Sequence, residues 1–170
     1  MHHWRVTKYD PALRDEYGRY MLPEWTAISD VGTTYSGRTF TTEEYLATET
    51  SYVASVLSFA GESGIAGFTA VGVENRNESE SARAGLPTDF AASIREGGEY
   101  DVGVLETLVR LSLRELMWCK VESGDRFYLH FGYDYYMYIG SSNECRESIR
   151  LAERSGLFVE PFVSPYLDED

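Results

Sequence analysis

Lysine is almost missing from this chain. Lys8 and Lys120 are the only two, so arginine supplies nearly all of the 15 basic side chains, and these are outnumbered by 28 acidic ones for a formal net charge of −13. A surface of that sign repels phosphate backbones and anionic lipid headgroups and draws basic proteins toward it. No basic stripe interleaved with aromatics runs along the chain, so the partner to expect is a basic protein, with no nucleic acid and no membrane. Cysteine is equally scarce. Cys119 and Cys145 are too few for the disulfide framework of a secreted scaffold. The first residues lack the charged-then-apolar pattern of a leader, and no apolar run approaches the roughly 18 residues that span a bilayer. The expectation is a cytoplasmic protein with both thiols reduced.

Other absences narrow the chemistry. Of three histidines, His2 and His3 are neighbours, which on a strand sends their side chains to opposite faces. With no paired cysteines either, no metal site is expected. Neither a G-x-x-x-x-G-K-[ST] loop nor a G-x-G-x-x-G turn is present, so no nucleotide or other cofactor is expected. Carboxylates are abundant, but Glu43-Glu44 opens a helix, Glu78 and Glu80 fall in a polar loop, and Asp168 to Asp170 form a tail. None of these spacings singles out a glycosidase-type acid pair, although such pairs form in space rather than in sequence.

What is present is the material of a core. The chain is 170 residues long, 43% hydrophobic and 25% charged, as expected of one globular domain over residues 1–170. Residues 1–9 alternate as a strand, with Trp4 and Val6 on one side, until Asp10-Pro11 breaks it. An irregular arm of about residues 10–40 follows. Long loops of this kind usually carry function. Thr41 stands three residues before Glu44, the capping box of a helix whose apolar positions recur to Ala60 and which Gly61 or Gly64 ends. A buried strand is expected over Phe68–Val73, a mobile polar loop over about residues 74–85, and a short helix near Asp89–Glu96. Asp101 can cap a third helix striped by Leu105, Leu108, Val109, Ser112 and Leu116. Trp118–Val121, Arg126–Phe131 and Tyr135–Ile139 read as an antiparallel meander. A last helix is expected from the box Ser141…Glu144 to Gly156. Leu157–Val163 then forms a strand whose Pro161 places it at a sheet edge. The fold class is α+β: an antiparallel meander in a mixed sheet with about four helices packed on it.

The meander also holds the candidate site. Strand alternation gives Phe127, Leu129 and Phe131 one face and leaves Tyr128 and His130 on the other, joined by Asp134, Tyr136 and Tyr138 from the next strand. That set is either a protein-binding patch, because rigid tyrosines anchor interfaces, or a second buried face covered by helices. The arm adds Glu24, Trp25 and Asp30, where Trp25 is either a displayed contact residue or the plug that pins the arm to the core. A nucleophilic reading would join Cys119 to His130 and Asp134, but nothing in the spacing enforces that geometry.

Three stretches, WRVTKYDP (4–11), EWTAISDVG (24–32), and HFGYDYYMYIG (130–140) with SGLFVEPFVSPYL (155–167), resemble small acidic bacterial immunity proteins that neutralise polymorphic or contact-dependent toxins. The resemblance implies a non-catalytic inhibitor that occludes a cognate toxin domain, and it assigns no residue a role. The alternatives are a small hydrolase-like enzyme with a pocket near His130 between arm and meander, and a homodimer whose aromatic face meets itself.

Overall fold

The computed structural model describes residues 1–75 and 85–167. Most of the polar stretch expected as a loop, and the Asp168–Asp170 tail, lie outside the described residues. Among the described residues there are nine strands: β1 (His2–Thr7), β2 (Thr34–Tyr35), β3 (Arg38–Thr39), β4 (Gly67–Asn75), β5 (Glu99–Asp101), β6 (Met117–Ser123), β7 (Phe127–Phe131), β8 (Met137–Ser141) and β9 (Phe158–Pro161). The helices are α1 (Thr42–Glu62), α2 (Thr88–Ala91), α3 (Leu105–Leu113) and α4 (Arg146–Arg154). The class is α+β, with one difference in number: α2 is a single turn, so three helices rather than four form a packing layer.

Seven strands make one sheet in the order β5-β4-β6-β7-β8-β1-β9, and β2 and β3 form a small hairpin inside the arm. The expected mixed sheet is instead antiparallel at every described pair. The cause lies in the connections. β5-α3-β6 and β8-α4-β9 are both β-α-β units whose strands run parallel, but β4 sits between the first pair and β1 between the second. Each unit is split by a strand running the other way, so parallel strands are never neighbours. Pro161 lies in β9, at the edge of the sheet as expected.

Local chemistry explains the main helix. Glu44 N–H donates to Thr41 Oγ1 (3.2 Å), Thr41 N–H donates to the Glu44 carboxylate (3.0 Å), and α1 ends at Ser63 with Gly64 at φ +66°, where a side chain would be strained. The last helix differs from expectation. Ser141 belongs to β8, and α4 begins only after Cys145. Its cap comes from α1 instead: the Glu62 carboxylate accepts the Ser148 N–H (2.7 Å) and the Ser148 hydroxyl. Burial opposes ionisation of Glu62, but the Ser148 hydroxyl, helped by the Ser148 and Glu147 N–H groups, holds its carboxyl below the ordinary range.

Helices α1, α3 and α4 cover one face of the sheet, where Trp4 and Val6 meet Leu129, Met137 and Ile139 in the core. Trp4 packs on Phe59 of α1 at 5.2 Å between ring centres. The opposite face is covered by the C-terminal residues 162–167, which run back across the strands as a strap. Phe162 packs on Tyr138, and Tyr166 meets Trp118, His130 and Tyr138 edge-on. Ser164 bonds His130 (2.8 Å), and Lys120 Nζ donates to the Tyr166 carbonyl (2.7 Å). Beneath the strap Tyr128 lies flat over Gly140 in the facing register position. A Cβ there would come within 2.0 Å of the ring, so only glycine fits. Among the described residues no helix is long and apolar enough to cross a membrane.

Candidate binding site at the Asp134 turn

Between β7 and β8 the chain reverses through Tyr133-Asp134-Tyr135-Tyr136. Tyr136 N–H donates to the Tyr133 carbonyl (3.1 Å), and Gly132 N–H donates to the Tyr136 carbonyl (2.7 Å). Asp134 and Tyr135 sit at φ 54° and 64°. This is the left-handed pair of a type I′ hairpin turn, whose usual occupants are Asn-Gly. Aspartate tolerates that region. A tyrosine there is costly, by about 1–3 kcal/mol, and persists only where its surroundings fix it.

Those surroundings are the helix layer. The Tyr135 ring meets Trp25, Tyr45 and Tyr52 edge-on. Its hydroxyl lies 2.8 Å from Tyr45 Oη and 3.1 Å from the Leu113 carbonyl, while its own carbonyl accepts the Tyr52 hydroxyl (2.7 Å). Burial drives the pKa of all three tyrosines far above the ordinary value, so they act as neutral donors. Tyr45 donates in turn to Glu49 (3.2 Å), a carboxylate with no exposure. Arg114 grips Glu49 through Nε (2.6 Å) and Nη2 (2.9 Å), and Arg110 adds Nη1 (2.6 Å). The turn is thus bolted to α1 and α3 through a chain of hydrogen bonds that ends in a buried ion pair.

At this end of the sheet the helix layer and the strap stop short of each other and leave a cavity of about 400 Å³. Its walls are aromatic: Trp118 and Phe131 from the strands, Tyr133, Tyr135 and Tyr136 from the turn, and Tyr166 from the strap. Among the described residues its charged lining is Glu74, Glu115 and Asp134, all acidic. Glu115 is another non-glycine residue at positive φ (58°), held where the chain swings from α3 into β6. Ser112 contributes a buried Oγ with no hydrogen-bond partner. A second cavity of about 330 Å³, toward Tyr9, Tyr20 and Leu22, shares Thr26, Asp134 and Tyr136 with the first. Those three residues form the ridge between them.

The eight candidate residues of the sequence divide in two. Asp134 is exposed and Tyr136 half-buried on the ridge. Glu24 lines the second cavity and takes a hydrogen bond from Lys8 Nζ (2.7 Å). Asp30 caps its own loop by accepting the Thr26 and Ala27 N–H groups (2.7 and 3.2 Å). The other four are buried. Trp25 is the plug of the arm, stacked on Phe40 at 4.4 Å with Lys8 Nζ 4.0 Å above its ring. Tyr128, His130 and Tyr138 lie under the strap rather than on a surface or beneath helices, because the last residues of the chain fold back over their face.

His130 has no exposure and lines neither cavity. Burial, with the charge of Lys120, lowers its pKa to about 4, so it is neutral at pH 7. Cys119 faces the helix layer and His130 the strap, on opposite sides of the sheet, so a Cys119–His130–Asp134 nucleophile is not assembled. Burial also pushes the Cys119 thiol up to about 12, away from a reactive thiolate. Among the described residues no three or more His, Cys, Asp or Glu side chains gather to hold a metal ion.

Sequence reasoning missed Thr26, Ser112, Glu115, Trp118 and Tyr166. Glu115 and Ser112 come from a helix end that reads as core stripe, and Tyr166 arrives by a strap that carries no periodic signal. No family model matches the chain, and comparisons with curated proteins and with solved structures return no match.

Proposed function

We propose that the protein is a non-catalytic binding protein of the immunity type, which takes a basic protein, a cognate toxin domain, at the Asp134 turn and occludes it. The observation that carries this reading is the cavity itself: a concave, aromatic-walled opening whose charged lining among the described residues is acidic, on a chain of net charge −13. Charge of one sign accelerates encounter with a basic partner, and rigid tyrosines then supply contact area at low entropic cost. The hydrogen bonds beneath Tyr135 hold the turn in its binding shape before the partner arrives, which lowers the ordering cost of association. His130, buried and neutral, lies outside the cavity and offers it no imidazole base.

The test is co-expression and co-purification with the product of the adjoining gene, followed by association kinetics across salt. The expected result is a complex whose association slows as salt rises from low to physiological, because exposed charges are screened within about 8–10 Å. No complex at micromolar concentration, or rates indifferent to salt, would remove the proposal.

A further inference from the structure

We infer that the cavity at the Asp134 turn is a socket for a guanidinium group, so that the partner enters it with an arginine side chain. The inference rests on the binding reading above and names the chemistry that the site selects. A volume of about 400 Å³ falls within the range of small-molecule pockets, whereas a contact surface made only of protruding residues would leave no such recess. Aromatic faces together with carboxylates are the combination that receives organic cations, the rings through their quadrupole and the acids through charge.

Two features favour guanidinium over ammonium. Aromatic side chains line the cavity from separate segments, at Trp118, Tyr133 and Tyr166, and a planar cation can stack on a ring over a wider area than a compact ammonium covers. Glu115 and Asp134 come from separate elements, the segment after α3 and the β7–β8 turn, and more than one acidic acceptor suits a cation with several N–H donors. The indole N–H of Trp118 is already committed to the Phe131 carbonyl (2.8 Å), which fixes the ring. The molecule shows the same pairing within itself: the Arg5 guanidinium lies 4.4 Å from the Phe162 ring centre and bonds Glu160 (3.1 Å). The neighbouring cavity differs in kind, because Arg19 lines it and Lys8 is paired with its Glu24. A bare cation therefore belongs in the larger one.

The experiment titrates the free protein with Nα-acetyl-arginine-N-methylamide, in which the guanidinium is the only charge. The matching citrulline compound serves as the uncharged control and the lysine compound as the ammonium control. Amide and indole resonances are followed by NMR. The expected result is a saturable shift of the Trp118 indole N–H and of the Gly132–Tyr136 amides with the arginine compound, weaker binding of the lysine compound and no response to citrulline. Glu115→Gln and Asp134→Asn should each weaken arginine binding roughly fivefold, the size of one exposed charge interaction. Asparagine suits the left-handed backbone at residue 134, so Asp134→Asn removes charge without breaking the turn. An unchanged spectrum away from the site confirms that each variant is folded. Equal shifts with citrulline, unaltered affinity in both variants, or shifts that map elsewhere would overturn the socket. Arginine binding without any complex with the adjoining gene product would remove the partner and leave the socket. A complex insensitive to both substitutions, with no arginine response, would do the reverse.

Discussion

The two faces of the sheet bury different acid–base side chains, Glu49 under the helices and His130 under the strap, and they surround them differently. Under the helices the Glu49 carboxylate accepts hydrogen bonds from Arg110, Arg114 and Tyr45, all carried by helices. Under the strap His130 is held neutral, with Nδ1 bonded to Ser164 and Nε2 without a hydrogen-bond partner, 3.9 Å from a Glu122 oxygen. A buried carboxylate is compensated where several donors are fixed in place around it. Where the cover is a short tail, desolvation wins and the group gives up its proton. The cavity opens where these two covers meet, with Leu113 and Ser112 on the helix side and Tyr166 on the strap side.

The helix-side ion pair gives the largest expected effect. Glu49→Gln keeps the shape but removes the carboxylate charge that Arg114, 7% exposed, and Arg110 both bond, and should cost about 3–5 kcal/mol in urea unfolding. A loss under 1 kcal/mol would mean that the two faces do not differ in the way described.

The strap side should respond to pH. His130 has its pKa lowered from 6.5 to about 4 in the folded state, so between those values the unfolded chain binds the extra proton. Stability is therefore full above about pH 6.5 and falls as the pH drops toward 4, by on the order of 3 kcal/mol if the whole shift is realised. His130→Gln should flatten that part of the profile, and an identical slope in wild type and variant would assign the acid loss to other groups. The smallest effect belongs to α1. Thr41→Ala should lower stability by about 1 kcal/mol, the usual loss of an N-cap, and an unmoved denaturation midpoint would contradict the capping role.

How far each region was legible follows from the same contrast. The capping box of α1, the apolar stripe of α3, the meander and the edge position of Pro161 all rest on local periodicity or turn chemistry, and all could be read directly. The start of α4 was not, because its cap is Glu62, far away in sequence. Glu49 looks like any helix-surface glutamate until α3 brings Arg110 and Arg114 against it. Alternation correctly separated Tyr128, His130 and Tyr138 from Phe127 and Leu129, but whether that face met water depended on a strap with no pattern of its own. Of the candidate site, Asp134 and Tyr136 were legible because a Gly-Tyr-Asp turn lies between two strands. The remaining walls come from four other segments that only the fold brings together.

The most direct test of the account compares equal losses of charge at two places. Association with the adjoining gene product should be measured at low and physiological salt for wild type, for Asp134→Asn with Glu115→Gln, and for Glu147→Gln with Glu153→Gln on the exposed side of α4. Each double variant removes two negative charges, so general attraction to a basic partner falls by a similar amount in both. The account predicts that only the cavity variant also dissociates faster, about tenfold or more for two contacts of roughly 1 kcal/mol each. Equal dissociation rates for the two variants would show that net charge alone, and not the Asp134 site, holds the complex.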